Sequence, residues 1–164
     1  MLFRSDVIPT LRDMHPNIRV ILFGTGSGET ELRELASKLN LHGTVQFAGF
    51  RADLDDYLAC IDLLVHPAVK EGLGVGMLKA AAAGVPVLAF DTAGSREAVL
   101  HGKTGVLVPL DNMNMLQKAI AVLIEESEMR VELGETGRLR MKDEFPVDTM
   151  VDRHIELYES VING

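Results

Sequence analysis

Runs of Val, Ile and Leu alternate along this chain with stretches whose apolar residues recur at helical spacing, and the alternation continues to about position 110. The short continuous runs predict strands at 18–23, 45–48, 63–66, 85–90 and 105–108, and their unbroken aliphatic character suits strands covered on both faces of a parallel sheet. Patterns of period 3.6 predict helices at 6–14, 29–39, 54–60, 75–83 and 96–100. Gly84 followed by Pro86 stops the helix at 75–83, since a glycine leaves a helix cheaply and a proline cannot continue it. Beyond the last strand the pattern is wholly helical, at 113–126, 129–144 and 147–161, the last opening just after Pro146. Strands and helices in alternation make an α/β domain, with helices on both faces of a mostly parallel, five-stranded sheet. The chain reads as one domain over 1–164, with a helical tail over about 112–164.

Composition narrows the function. With 164 residues, 47% of them apolar, the chain buries a real core as a single domain. A net charge of −8 without any basic stripe argues against nucleic acid or an anionic membrane surface as partner. No apolar run approaches the length of a membrane-spanning helix and the N-terminus is not built like a signal peptide, so a soluble, cytoplasmic protein is expected. The single cysteine, Cys60, cannot build a disulfide framework and reads as buried filler. His15, His42, His66, His101 and His154 are scattered without partners at ligand spacing, which leaves no metal site.

Each strand except the last leads through a turn rich in Gly, Ala, Ser or Thr into a helix, which points backbone N–H groups outward at the strands' carboxyl ends, where phosphates bind in open α/β sheets. The first such turn, Gly24-Thr25-Gly26-Ser27-Gly28-Glu29, invites comparison with the dinucleotide fingerprint G-x-G-x-x-G and departs from it. Glu29 occupies the third glycine's place, and no acid for a ribose ends the next strand. A tight turn with positive φ, or backbone contact of Gly24 and Gly26 with a sugar or phosphate, remain as readings. The second turn, Lys70-Glu71-Gly72-Leu73-Gly74-Val75-Gly76, has three glycines in five residues, which lets a ligand approach the main chain closely. Glu71 beside it accepts hydrogen bonds from neutral hydroxyls, and an acid next to an anion hole reads as a site for a sugar joined to a phosphate. Asp53, Asp55 and Asp56 read as a helix cap with solvated neighbours.

The run HPAVKEGLGVGMLKAAAAGVPVLAFDTAGSREAVLHGKTGVLVP resembles the signature segment of group-1 glycosyltransferases, in which an E-G-F-G-like loop leads into a helix and then A-A-G-x-P-V. VILFGTGSGETELRELASKLNL and VQFAGFRADLDDYLACIDLLVHP resemble the family's preceding strand and helix units in order, and the helices after Asn112 resemble its helical tail. The resemblance implies a Rossmann-like, nucleotide-sugar-binding C-terminal domain of the GT-B fold, and transfer of a hexosyl-type sugar from a nucleoside-diphosphate sugar with retention. It implies no metal and no cofactor besides that donor, and an acceptor held by a separate N-terminal domain. It also implies site residues: Glu71 on the hydroxyls of the donor sugar, the main chain of Gly72, Leu73, Gly74 and Val75 around sugar and diphosphate, and Phe50 and Arg51 at the nucleotide base. Thr92-Ala93-Gly94-Ser95 with Glu97 resembles a G-G-x-x-E turn that lines the same cleft, Gly94 and Glu97 being its ends. The alternative makes Ser95 a helix N-cap and Glu97 a first-turn acid.

Two departures from the family pattern matter. The second glutamate expected eight positions after Glu71, where the family contacts the ribose, is Lys79, and an ammonium donates hydrogen bonds but accepts none. Lys79 then pairs with a diphosphate, pairs with Glu71, or stays solvated. The family also opens this domain with a strand and a G-R-x…K-G segment, and this chain begins after it. Direct closure of the gap gives the strand order 2-1-3-4-5, whereas a strand exchanged between two copies would make a homodimer. The isolated chain is expected to be inactive as a transferase. The competing functional readings are a non-catalytic nucleotide or sugar-phosphate binding or scaffold module, and a flavodoxin-like or NAD-binding redox domain.

Overall fold

A computed structural model describes residues 7–70 and 72–163. Among these residues, eight helices and five strands follow one another as α1 (Val7–Met14), β1 (Val20–Phe23), α2 (Glu29–Lys38), β2 (Val45–Gly49), α3 (Leu54–Leu58), β3 (Leu64–His66), α4 (Val75–Ala82), β4 (Val87–Phe90), α5 (Ala93–Ala98), β5 (Gly105–Val108), α6 (Met113–Glu125), α7 (Ser127–Glu144) and α8 (Val147–Asn163). This is the α/β architecture with a helical tail that the alternation predicts, and the Rossmann-like arrangement that the resemblance implies.

All strand pairs are parallel, and they form two pieces. β1 pairs with β2, from Val20 opposite Val45 to Phe23 opposite Gly49. β4 lies between β3 and β5, with Val87 opposite both Leu64 and Gly105. Neighbours within each piece are those of the order 2-1-3-4-5, but the β1–β3 ladder that direct closure requires is not formed among the described residues. Side chains, not backbone pairing, join the two pieces. Val7 and Leu11 of α1 belong to the cluster built on Leu88, Phe90, Leu116 and Leu123, while Ile8 of the same helix belongs to the cluster of Ala36, Leu41 and Val45. Burial of α1 thus spans both.

The core is deepest around β4, whose four residues are all buried. On one side lie α1 and α6, on the other Leu58, Met77, Ala80, Ala98 and Val99. α7 closes against α4 through its glycines: a Cβ on Gly134 would stand 2.0 Å from the Gly84 carbonyl oxygen, so only hydrogen fits there. Arg130 closes the other end of this region, donating from Nη1 to the carbonyls of Leu123 and of Ile124 (2.8 Å), which α6 leaves without helical partners.

Most helix ends shift by one to three residues from the sequence expectation, and two of these shifts have a local cause. The helix expected at 54–60 ends at Leu58, and Cys60 stands exposed beyond it instead of buried, because Leu58 takes the core position. The helix expected at 96–100 starts at Ala93, because Thr92 and not Ser95 is its N-cap. The Thr92 hydroxyl accepts from the Ser95 amide at 3.2 Å, and the Ser95 hydroxyl accepts from the Thr92 amide at 2.8 Å, a reciprocal box that fixes the start. Glu97 accordingly lies beyond the first turn. α8 begins after Pro146 as expected and buries none of its residues; Val147, Met150, Val151, Ile155, Tyr158 and Ile162 form an exposed apolar stripe at helical spacing. No helix among the described residues is long and apolar enough to cross a membrane.

Candidate functional site

The turns after β1, β2, β3 and β4 lie at the carboxyl ends of parallel strands, so they collect at one edge of the fold. After β1, Gly24 adopts φ +103°, which a side chain would resist, and its amide donates to the Gly49 carbonyl at 2.7 Å, tying the ends of β1 and β2 together. A Cβ at Gly26 would meet nothing within 4 Å, so this glycine is not required by packing. The structure supports the tight-turn reading for Gly24 and leaves open space above Gly26.

After β2, Phe50 is 76% exposed. Arg51 next to it is held from two sides. Its Nε and Nη2 donate to the Asp53 carboxylate at 2.9 and 2.6 Å, and its guanidinium lies 4.8 Å from the Tyr57 ring centre. Tyr57 in turn meets Phe23, the last residue of β1, edge to face at 5.6 Å. The hydrogen bond from Arg51 holds the Asp53 carboxyl below the usual carboxylate range, and Asp53 raises the Arg51 guanidinium in return. Asp53 occupies the N-cap position of α3 but caps nothing with its side chain, which corrects the expected helix cap.

After β3, the glycine-rich turn enters α4 at Gly74, which is left-handed (φ 65°, ψ 55°) and whose carbonyl accepts from the Met77 amide at 2.8 Å. No side chain caps this end, and of its first-turn amides those of Val75 and Gly76 are left without helical acceptors. Leu73 and Val75 are 46% and 59% exposed, and Gly72 and Gly76 have open space where a Cβ would stand. Glu71 lies outside the described residues. One turn into α4, Lys79 Nζ donates to both oxygens of Asp55 on α3, at 2.9 and 3.1 Å. Asp55 read in the sequence as a solvated neighbour of a helix cap and Tyr57 did not stand out, because each meets its partner only across the fold.

After β4, Gly94 is buried in the first turn of α5, and the contact made by Glu97 is through its carbonyl, which accepts from Arg140 of α7 at 3.0 Å. The structure therefore brings Phe23, Gly24, Phe50, Arg51, Tyr57, Asp55, Lys79 and the start of α4 into one connected neighbourhood, and attaches Glu97 to the α7 side of α5. Two surface hollows, about 460 and 240 Å³, lie elsewhere, along α7 around Val131 and Thr136 and beside Lys103.

Comparison with known proteins adds a family. The sequence description of the glycosyl transferases group 1 matches residues 5–140. The chain is 30% identical over 152 residues to the GDP-mannose-dependent alpha-(1-6)-phosphatidylinositol monomannoside mannosyltransferase of Mycobacterium tuberculosis, covering 87% of this chain and 40% of that protein. It superposes with a TM-score of 0.86 and 29% identity on Anabaena Alr3699/HepE, crystallised with UDP and glucose, over 94% of this chain and 44% of that one. The crystallised C-terminal domain of the Francisella tularensis group 1 family protein LpcC shares the fold, with a TM-score of 0.79 at 19% identity over 89% of this chain and 79% of that one. The chain thus spans less than half the length of the first two.

Proposed function

Because the chain belongs to the glycosyl transferases group 1 family, as a C-terminal domain of GT-B fold, we propose that it binds the nucleoside-diphosphate sugar from which a whole enzyme transfers the sugar with retention. The observation that carries this reading is the entry into α4. A left-handed Gly74, an uncapped helix start and flanking glycines form a main-chain cradle at the strand-end edge, one turn before Lys79. In this reading the diphosphate sits on the amides after Gly72, Leu73 and Gly74, where the helix dipole favours negative charge. Phe50 and Arg51 take the base, Gly24, Gly26 and Gly94 line the cleft, and Glu71 accepts hydrogen bonds from the sugar hydroxyls. The chemistry asked of these groups is electrostatic: they stabilise the departing diphosphate while the anomeric carbon becomes oxocarbenium-like. The UDP and glucose in HepE and the GDP-mannose in the mannosyltransferase's name support a hexosyl donor of this class.

The acceptor belongs to a second, N-terminal domain, and the isolated chain is inactive without it. The share of its relatives that this chain spans supports that view, as does α8, whose apolar stripe finds nothing to cover it among the described residues. Thermal unfolding in a panel of UDP- and GDP-sugars tests the reading. A ligand at a hundred times its Kd adds about 2.7 kcal/mol, which for a domain of this size raises Tm by roughly 5–10 °C. No shift with any member of the panel overturns the reading.

A further inference from the structure

β5 is the last strand of its sheet piece, and among the described residues its outer side has no neighbouring strand. One hydrogen bond fixes which backbone groups look outward. The Val108 carbonyl accepts from the Asp91 amide at 2.8 Å, so it faces the β4 side. Backbone groups of successive strand residues point to opposite sides, so the N–H and C=O of Leu107 and of Gly105 face away from β4. An edge of this kind is a template for a further strand. The turn before β5 fills it. The Gly105 carbonyl accepts from the Gly102 amide at 2.8 Å, and the Leu107 amide donates to Nδ1 of His101 at 3.0 Å. A backbone amide can only donate, and an imidazole nitrogen accepts only through a bare lone pair, so the proton of His101 sits on Nε2. We propose that His101, in this tautomer, guards the outer edge of β5 and keeps a second copy of this chain from pairing there.

Three observations carry it. The first is place. His101 bridges to Gly105 as a parallel strand residue would, so its side chain stands where the next strand's carbonyl would otherwise meet Leu107. The second is what lies beneath the guard. Leu107 turns both its N–H and its C=O outward, and two copies related by a two-fold axis could exchange both bonds between their Leu107 residues, the hydrogen-bonded pair of an antiparallel ladder. Such a contact is self-complementary, and the partner is always present at the chain's own concentration. The third is the sequence of the edge. Gly105-Val106-Leu107-Val108 carries no charge and no proline, the devices that blunt an edge strand by themselves, so the turn residues supply the protection.

His101 is exposed, so truncating it opens no cavity in the core. Nuclear magnetic resonance and light scattering on the full chain test the proposal. In wild type the imidazole nitrogen shifts should show the proton on Nε2, with Nδ1 bare; this reading needs no variant. In dilute His101→Ala the Leu107 amide should exchange about tenfold faster than in wild type, the loss of one hydrogen bond. As His101→Ala is concentrated, light scattering should report a dimer beyond any association of wild type, and the Leu107 amide should regain its protection in that dimer. His101→Asn, whose side-chain oxygen can accept from the same amide, should return both exchange and association to the wild-type values. A proton on Nδ1 in wild type, an unaltered Leu107 exchange rate in His101→Ala, or equal association of wild type and His101→Ala at every concentration overturns the proposal. So does an added dimer in which the Leu107 amide stays unprotected.

Discussion

Two glycines one turn apart on α7 give a prediction in which neighbouring, chemically identical substitutions act in opposite directions. Replacing Gly134 or Gly137 by Ala removes the same excess backbone freedom, a gain of about 1 kcal/mol in a helix interior. Their surroundings differ. At Gly134 the new Cβ would lie 2.0 Å from the Gly84 oxygen and 2.9 Å from its carbonyl carbon, both backbone atoms that cannot rotate away. Relief requires α7 to retreat from α4 by more than an ångström, which loosens the packing around Leu133 and Met141 that lie on the same buried side. Overpacking of this kind costs about 3 kcal/mol at the upper end of its usual range, so Gly134→Ala should be less stable than wild type by about 2 kcal/mol. At Gly137 the nearest atom is the Ala81 methyl at 3.5 Å, an ordinary contact, so Gly137→Ala should be more stable by about 1 kcal/mol. Reversible urea unfolding followed by far-ultraviolet circular dichroism resolves a gap of that size, and the corresponding Tm values should fall by roughly 4–8 °C and rise by roughly 2–4 °C. The reasoning is refuted if Gly134→Ala matches or exceeds wild type, or if both variants move in the same direction.

Ser95→Ala should destabilise the protein by about 1–3 kcal/mol in the same unfolding assay, because the buried hydroxyl donates to the Phe90 carbonyl at 2.6 Å and accepts from the Thr92 amide at 2.8 Å; an unchanged midpoint would contradict the capping box. Asp53, Asp91 and Glu135 are each held below the usual carboxylate range by the hydrogen bonds of Arg51, Arg96 and Arg138. A carboxyl lowered in the folded state contributes stability that is fully present above its unfolded value of about 4 and is lost as pH falls through the folded value. The stability difference between wild type and Arg96→Gln should therefore be flat from pH 8 to 5 and shrink only below about pH 4; a slope within the flat range would show that another group carries the linkage.

The strand positions were legible because short runs rich in Val, Ile and Leu mark them, although only β4 is buried along its whole length while β1 and β3 are half-buried and β2 exposes Gln46. Helix ends were less so. The start of α5 rests on Thr92 and Ser95 exchanging hydrogen bonds, with serine in the place where a glutamate or glutamine usually signals the box, and Gly94 inside the first turn looks like a loop residue. Cys60 was misread because apolar neighbours on both sides suggested burial, while the helix ending at Leu58 turns it outward. In the site, the glycine turn stood out by its spacing, and of its glycines Gly74 is the one whose positive φ selects glycine. The Lys79–Asp55 bridge was not, as the two residues are 24 positions apart and meet only because α3 and α4 start from the same edge.

The division of the sheet also sets how the domain loosens. The β1–β2 piece rests on a cluster with four buried members, Ile8, Ala36, Leu41 and Val45, whereas β4 lies between two larger clusters. Amide exchange should accordingly be fastest among the strand amides of β1 and β2 and slowest in β4, with the smaller piece opening as a separate cooperative unit below the free energy of global unfolding. That piece carries Phe23, Gly24, Phe50 and the approach to Arg51. A nucleotide that grips them joins two units of unequal stability, so saturation would show as slowed exchange in β1 and β2 well before any change at the centre of the fold.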